Sequence, residues 1–514
     1  MTANALLVAA GIFVSKIAGL IRGRVLAHYF GQKDVADAFT AALRIPNLLQ
    51  NLFGEGALSG SFIPVYAALV ARKQDRVASE VAGAVAAILG LVTAVLVLLG
   101  VLATPLLISL IAPGFLGDKR ELTITLVQIL FPGTGLLVMS AWCLGILNSH
   151  HRFLLSYAAP VVWNAAIIAT AIAFGGLALP RLAVYVAWGS VIGSALQVAV
   201  MVPPVLRLAP GLRLRLDTAS EHVRSVIRNF TSVFLSRGVV QISAYVDQIL
   251  ASYLGTGAAA ALLNAGTLYT LPVSLFGMSV SAAELPAMSG EAGIDNERVR
   301  ARLNAGLRQI AYFVVPSAVA FIALGDVVAS ALFQTGRFTR DDAVFVWAIV
   351  AGSSVGLLAS TLGRLYSSTF YALRDTATPL RFAVVRVVLT VTLGLLFAFR
   401  LPPLFGVDIK WGTAGLTASA GIAGWIEFLL LRRGITQRLG PTRLPPMTLA
   451  QLWIAAFAAA AVGWAVKLLV GTAHPLLTAV AVLGPYGAVY VGMTLLLRVP
   501  EAHGALSRAF RRRR

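Results

Sequence analysis

Largely apolar runs recur along the chain, parted by short polar or charged stretches. A bilayer-crossing helix needs about 20 apolar residues. The pattern therefore predicts spans near 3–29, 36–67, 79–111, 122–147, 155–178, 182–205, 226–253, 258–288, 305–333, 342–371, 379–400, 412–431, 447–470 and 474–497. The runs are continuous rather than alternating, which excludes an outer-membrane β-barrel. The first run lacks a small-residue cleavage site and reads as a permanent helix. The predicted fold is an all-α integral membrane protein with about 14 transmembrane helices.

The apolar pattern repeats itself. Leu26-Ala27-His28-Tyr29-Phe30-Gly31 echoes Leu250-Ala251-Ser252-Tyr253-Leu254-Gly255, and Leu52-Phe53-Gly54 echoes Leu275-Phe276-Gly277. Pro64 pairs with Pro286, Gly135-Leu136-Leu137 with Gly356-Leu357-Leu358, and Pro160 with Pro379. The offset drifts from 224 to 219 residues without a jump. Such an ordered series implies two pseudo-symmetric six-helix lobes in the same orientation, a known transporter plan. The expected boundaries are 1–219 for the first lobe, 220–440 for the second, and 441–514 for two extra helices and a basic tail.

Composition agrees with the pattern. Hydrophobic residues make up 58% of the chain, whereas a soluble domain holds about 45–50%. The net charge of +20 invites a nucleic-acid reading. The bases rule it out, because they lie at span ends rather than on one soluble face. Arg72, Lys73, Arg76, Arg207, Arg213, Arg215, Arg298, Arg300, Arg432 and Arg433 fall in alternate loops. The intervening loops carry few: Lys33, Lys119, Arg120, Arg337 and Arg340. Positive loops face the cytoplasm. An even number of spans then puts both termini there, with the tail Arg511-Arg512-Arg513-Arg514. The lone Cys143 permits no internal disulfide. No metal-ligand spacing, nucleotide motif or nucleophile–base pair appears, so neither a metal, a cofactor nor covalent catalysis is expected.

The candidate chemistry lies inside the membrane. A charge at the bilayer centre costs roughly 2.5–3.5 kcal/mol, so it must face a bundle interior or a watery chamber. At about 100° per residue, Asp37, Arg44, Asn51 and Glu55 fall within roughly 40° of one another on span 2. Gly54, Gly56 and Gly60 beside the stripe allow a bend. Span 1 adds Lys16, Arg22 and Arg24. These bases outnumber the acids of the two spans, and an excess of positive charge calls for an anionic ligand. Arginine forks suit phosphate oxygens. The bland reading is that Asp37 and Glu55 merely neutralise nearby bases to fix helix packing. Arg237, Gln241 and Gln248 share a stripe on span 7, with Asp247 about 80° aside. Arg364 lies in span 10 and Arg386 in span 11. Asp247 and Arg386 either neutralise each other or mark a sodium or proton site. His150 and His151 read as solvated loop residues.

Three blocks carry a resemblance. The first is Asp37-Ala38-Phe39, Arg44-Ile45-Pro46-Asn47-Leu48-Leu49, Leu52-Phe53-Gly54-Glu55-Gly56-Ala57-Leu58-Ser59 and Phe62-Ile63-Pro64. The second is Leu147-Asn148-Ser149-His150-His151-Arg152-Phe153, with Pro160. The third is Phe370-Tyr371-Ala372-Leu373-Arg374-Asp375-Thr376, with Thr378-Pro379. Together they resemble the MurJ (MviN) family of the multidrug/oligosaccharidyl-lipid/polysaccharide exporter superfamily.

The resemblance implies two lobes around a central cavity, two C-terminal helices grooved for a polyprenyl tail, and alternating access. It implies a bacterial inner-membrane flippase for lipid II, the undecaprenyl-pyrophosphate-linked peptidoglycan precursor, working beside peptidoglycan-synthesis proteins. Its cavity cations fall on Lys16 and Arg22, and its cavity acids on Asp37 and Glu55. In some relatives an acid of span 7, here Asp247, helps bind sodium, which Arg386 would oppose.

The chain also departs from the family pattern. Gln50 and Asn51 replace a basic pair, Gly23 an acid, and Thr267 an arginine of span 8. Arg237 or Arg364 would then supply the missing charge. Rival readings are a flippase for another polyprenyl-linked polysaccharide, a drug or cation antiporter of the same superfamily, and a non-transporting membrane scaffold.

Overall fold

A computed structural model describes residues 3–291, 294–442, 444–471 and 474–503, with the side chains of 3–10, 12, 55, 232–233 and 235–244 outside the description. The basic C-terminal tail lies outside the described residues. All regular structure described is helical. An apolar run inside a bilayer has no water to satisfy its backbone, so each segment must close its own hydrogen bonds as a helix.

The chain forms two compact units. One runs to Ala259 and takes in Thr335–Arg337; the other comprises Ala260–Gln334 and the chain from Phe338 onward. The first unit holds α1 (Ala3–Phe30), α2 (Asp34–Phe53), α3 (Glu55–Ala71), α4 (Asp75–Leu102), α5 (Thr104–Ile111), α6 (Gly117–Ser149), α7 (Phe153–Ala158), α8 (Pro160–Ala173), α9 (Leu179–Leu208) and α10 (Glu221–Ser252). Next come α11 (Ala258–Pro272), α12 (Ser279–Glu291), α13 (Asn296–Phe333), α14 (Arg340–Ser354), α15 (Leu357–Ala372), α16 (Ala377–Phe399), α17 (Leu401–Leu404), α18 (Gly412–Leu439), α19 (Pro446–Val470) and α20 (Pro475–Leu496).

By length and composition, eleven helical stretches among the described residues can cross a membrane, or twelve when α14 and α15, bent by 45°, count as one. That test does not reach the expected fourteen. Two further long helices, α1 and α10, have 28 and 32 residues.

Helix irregularities fall at one pair of echoed segments. Span 2 breaks at Gly54, which ends α2 and starts α3. A side chain there would run into the Gln50 carbonyl oxygen, so the break needs glycine. Its echo, Leu275-Phe276-Gly277, sits in a π-helical turn, Val273–Met278, between α11 and α12.

In the first unit, Leu58, Phe62 and Tyr66 of α3 pack with Val81 and Val85 of α4, Val138 and Trp142 of α6, and Val226 of α10. Helix α9 lies against both α6 and α8. Its Gly189 and Gly193 form a small-residue pair, four apart, that lets helix backbones approach closely. A Cβ at Gly193 would come 2.9 Å from the Ala166 Cβ and 3.0 Å from the Trp163 carbonyl oxygen.

The long α13 organises the second unit, packing against α14, α15, α19 and α20. Pro316 lies inside α13 and has no N–H for the Tyr312 carbonyl one turn earlier. The Tyr490 hydroxyl of α20 donates to that carbonyl at 2.6 Å, and Tyr486 donates to the Pro316 carbonyl at 2.6 Å. A neighbouring helix thus satisfies the group that proline frees. Helix α19 is tied to α13 by Trp464 donating to the Ala323 carbonyl at 2.8 Å and by Lys467 on Asp326 at 2.6 Å.

Candidate functional site

Helix α1 brings three bases into the first unit. Lys16 is exposed, while Arg22 and Arg24 are partly buried. The Arg22 guanidinium lies over the Trp163 ring of α8, 4.6 Å from its centroid. Its Nε and Nη1 are buried and have no hydrogen-bond partner among the described residues. Trp163 donates its Nε1–H to Ser190 of α9, at 3.1 Å to the carbonyl and 3.0 Å to the hydroxyl. The close approach at Gly193 brings α8 near enough for that bond. Neither Trp163 nor Ser190 stands out in the sequence, where each reads as ordinary span lining.

Asp37 is wholly buried. Its Oδ2 accepts from Lys119 Nζ of α6 at 2.6 Å and from the Gly257 N–H at 2.7 Å. Gly257 has φ +84°, a left-handed conformation that glycine adopts without strain. Asp34 joins the cluster, with Lys119 at 2.9 Å and the Thr256 hydroxyl at 2.9 Å. Lys119 also lies over the Phe115 ring at 4.3 Å. The base that the structure gives Asp37 is therefore Lys119, at the start of α6 rather than in a loop. The cluster joins the start of α2, the start of α6 and the turn after α10.

Further along α2, Arg44 Nη1 donates to Gln248 Oε1 of α10 at 3.0 Å, and Tyr245 donates to the Arg44 carbonyl at 2.8 Å. Asp247 acts on Arg44 electrostatically. Asn51 is exposed. The stripe expected on one helix is divided, because Glu55 opens α3 beyond the Gly54 break. The side chains of Glu55 and Arg237 lie outside the described residues.

In the second unit Arg364 is exposed on α15, and Arg386 of α16 pairs with Glu427 of α18 at 3.1 Å. The carboxylate that Arg386 meets is therefore Glu427 rather than the expected Asp247. Thr267, standing in place of the family arginine, donates back to the Leu263 carbonyl at 3.1 Å. Among the described residues no group of three His, Cys, Asp or Glu side chains comes together to hold a metal.

His150, expected to be solvated, is partly buried, with its Nε2 3.1 Å from the Tyr66 hydroxyl. Burial pushes its pKa down, Asp75 opposes the shift and His151 adds to it. The unfolded chain therefore takes up a proton more readily as pH falls below about 6.5, and stability is lost through that range. The unfolding temperature should fall between pH 7.5 and 5.5, and less so in His150→Gln. Equal pH dependence in the two proteins would contradict this.

Long apolar helices and ionisable groups within a packed unit define a multi-pass membrane protein of the transporter type. The chain shares its fold with a structure titled "Lipid II flippase MurJ, inward closed conformation", with a TM-score of 0.78 and 23% identity over 96% of this chain and 99% of that one. It also resembles an inward-facing multidrug resistance MATE transporter of the MOP superfamily, with a TM-score of 0.64 and 16% identity over 82% of this chain and 95% of that one. The family profile described as "Lipid II flippase MurJ" matches residues 26–486. The lipid II flippase MurJ of Burkholderia cenocepacia is 30% identical over 85% of this chain and 84% of its own length. A probable lipid II flippase MurJ from Rhizobium tropici is 31% identical over 82% and 79%. The chain belongs to the lipid II flippase MurJ family, a family of transporters rather than enzymes.

Proposed function

We propose that this protein moves lipid II from the inner to the outer leaflet of the bacterial inner membrane, with both termini in the cytoplasm. Lys16, Arg22 and Arg44 capture the pyrophosphate, and alternating access exposes the site first to one face and then to the other. The lipid tail stays in the bilayer along α19 and α20. The observation that carries this reading is Arg22, whose buried Nε and Nη1 have no hydrogen-bond partner among the described residues. A buried charged donor without a partner is costly, and charge-assisted bonds to phosphate oxygens would satisfy it. Affinity must differ between the two states for the cycle to release its cargo. Sodium or proton coupling is assigned to Asp247 rather than Arg386, since a guanidinium repels a cation.

The test is rescue of a bacterium depleted of its own lipid II flippase. Wild-type protein should restore growth and the appearance of lipid II in the outer leaflet, and Arg22→Ala should not. The Asp247→Asn variant should alter dependence on the sodium or proton gradient; unaltered dependence would remove the coupling assignment. A membrane-inserted wild type that restores nothing would move the reading to another polyprenyl-linked sugar or to a scaffold.

A further inference from the structure

An arginine on a free side chain makes a poor clamp, because about 2 kcal/mol of rotamer entropy is at stake. In this unit Arg22 is not free. Its guanidinium is held over the Trp163 ring, 4.6 Å from the centroid, and tryptophan offers the best π-face for a cation. The ring is itself fixed, since its only polar donor is taken by Ser190 through both the carbonyl at 3.1 Å and the hydroxyl at 3.0 Å. Helices α8 and α9 lie close enough for this because Gly189 and Gly193 have no side chains. A Cβ at Gly193 would sit 3.0 Å from the Trp163 carbonyl oxygen. The Nε and Nη1 of Arg22 are buried and have no hydrogen-bond partner among the described residues.

We propose that Trp163, locked by Ser190, is the positioning residue that presents the Arg22 N–H edge to the phosphate oxygens of the lipid-linked cargo. This rests on the function proposed above and adds a residue to it. The α8–α9 pair acts through Arg22 and need not touch the cargo. The phosphate meets a guanidinium whose orientation is already set, so less entropy is lost on binding.

The experiment uses full-length protein in lipid nanodiscs, with undecaprenyl pyrophosphate as probe and undecaprenol, which lacks phosphate, as control. Trp163→Leu should weaken pyrophosphate binding about tenfold and leave undecaprenol binding unchanged. Trp163→Phe keeps a ring face but loses the anchoring donor, and Ser190→Ala removes one of its two acceptors. Both should fall between wild type and Trp163→Leu, and they remain informative if the leucine variant fails to fold. In an Arg22→Ala background, Trp163→Leu should have no further effect. Wild-type affinity in the phenylalanine and leucine variants, equal losses for both lipids, or additive losses with Arg22→Ala would overturn the positioning role. A folded wild type that does not bind undecaprenyl pyrophosphate would instead overturn the underlying function.

Discussion

Replacing Asp37 by alanine is expected to destabilise the protein by about 3 kcal/mol, because removing one partner of a buried ion pair strands the other. The carboxylate is fully buried and holds both Lys119 at 2.6 Å and the Gly257 N–H at 2.7 Å. Asp34, at 2.9 Å, keeps part of the compensation, so the loss belongs at the low end of what such breaks cost. The Gly257 N–H is left without this acceptor. A double variant, Asp37→Ala with Lys119→Met, should recover part of the loss, since the stranded charge is gone. Thermal unfolding in detergent reads both. A loss below about 1 kcal/mol in the single variant would mean that the pair behaves as a surface contact. No recovery in the double variant would mean that the backbone bond dominates.

Arg22→Met is expected to slow transport strongly while sparing the fold. A charged hydrogen bond is worth about 1.5–3 kcal/mol, so losing it from phosphate capture should cut headgroup movement about 10- to 100-fold. The unfolding temperature should hold or rise, because methionine replaces a buried charge whose Nε and Nη1 have no hydrogen-bond partner among the described residues. Stability traded for activity marks a functional site. A variant that loses transport and stability together would make Arg22 a packing residue, and its contact with Trp163 the reason for its burial.

The sequence makes legible whatever depends on one segment at a time. Continuous apolar runs define the helices, Gly54 marks the bend of span 2, and the burial cost of charge singles out Arg22, Asp37 and Arg44. Contacts between distant segments are not legible. Lys119 is 82 residues from Asp37, and nothing in the periodicity of either helix connects them. Glu427 sits 41 residues beyond Arg386 on a helix whose other positions are mostly apolar. Trp163 looks like any membrane tryptophan until Ser190 takes its N–H. Gly189 and Gly193, four apart, do mark α9 in the sequence as a close-packing helix. Pro316 likewise announces an orphan carbonyl, yet only the packing of α20 reveals that Tyr490 answers it.

Capture of a pyrophosphate-linked headgroup by the bases of the first unit is the step on which the proposed function depends. Its most direct test is translocation of lipid II by the purified protein in proteoliposomes, beside Arg22→Ala and Lys16→Ala. Headgroup movement by the wild type, lost in both variants while each stays folded, is the predicted result. Full movement in folded Arg22→Ala, or none in folded wild type, would contradict it.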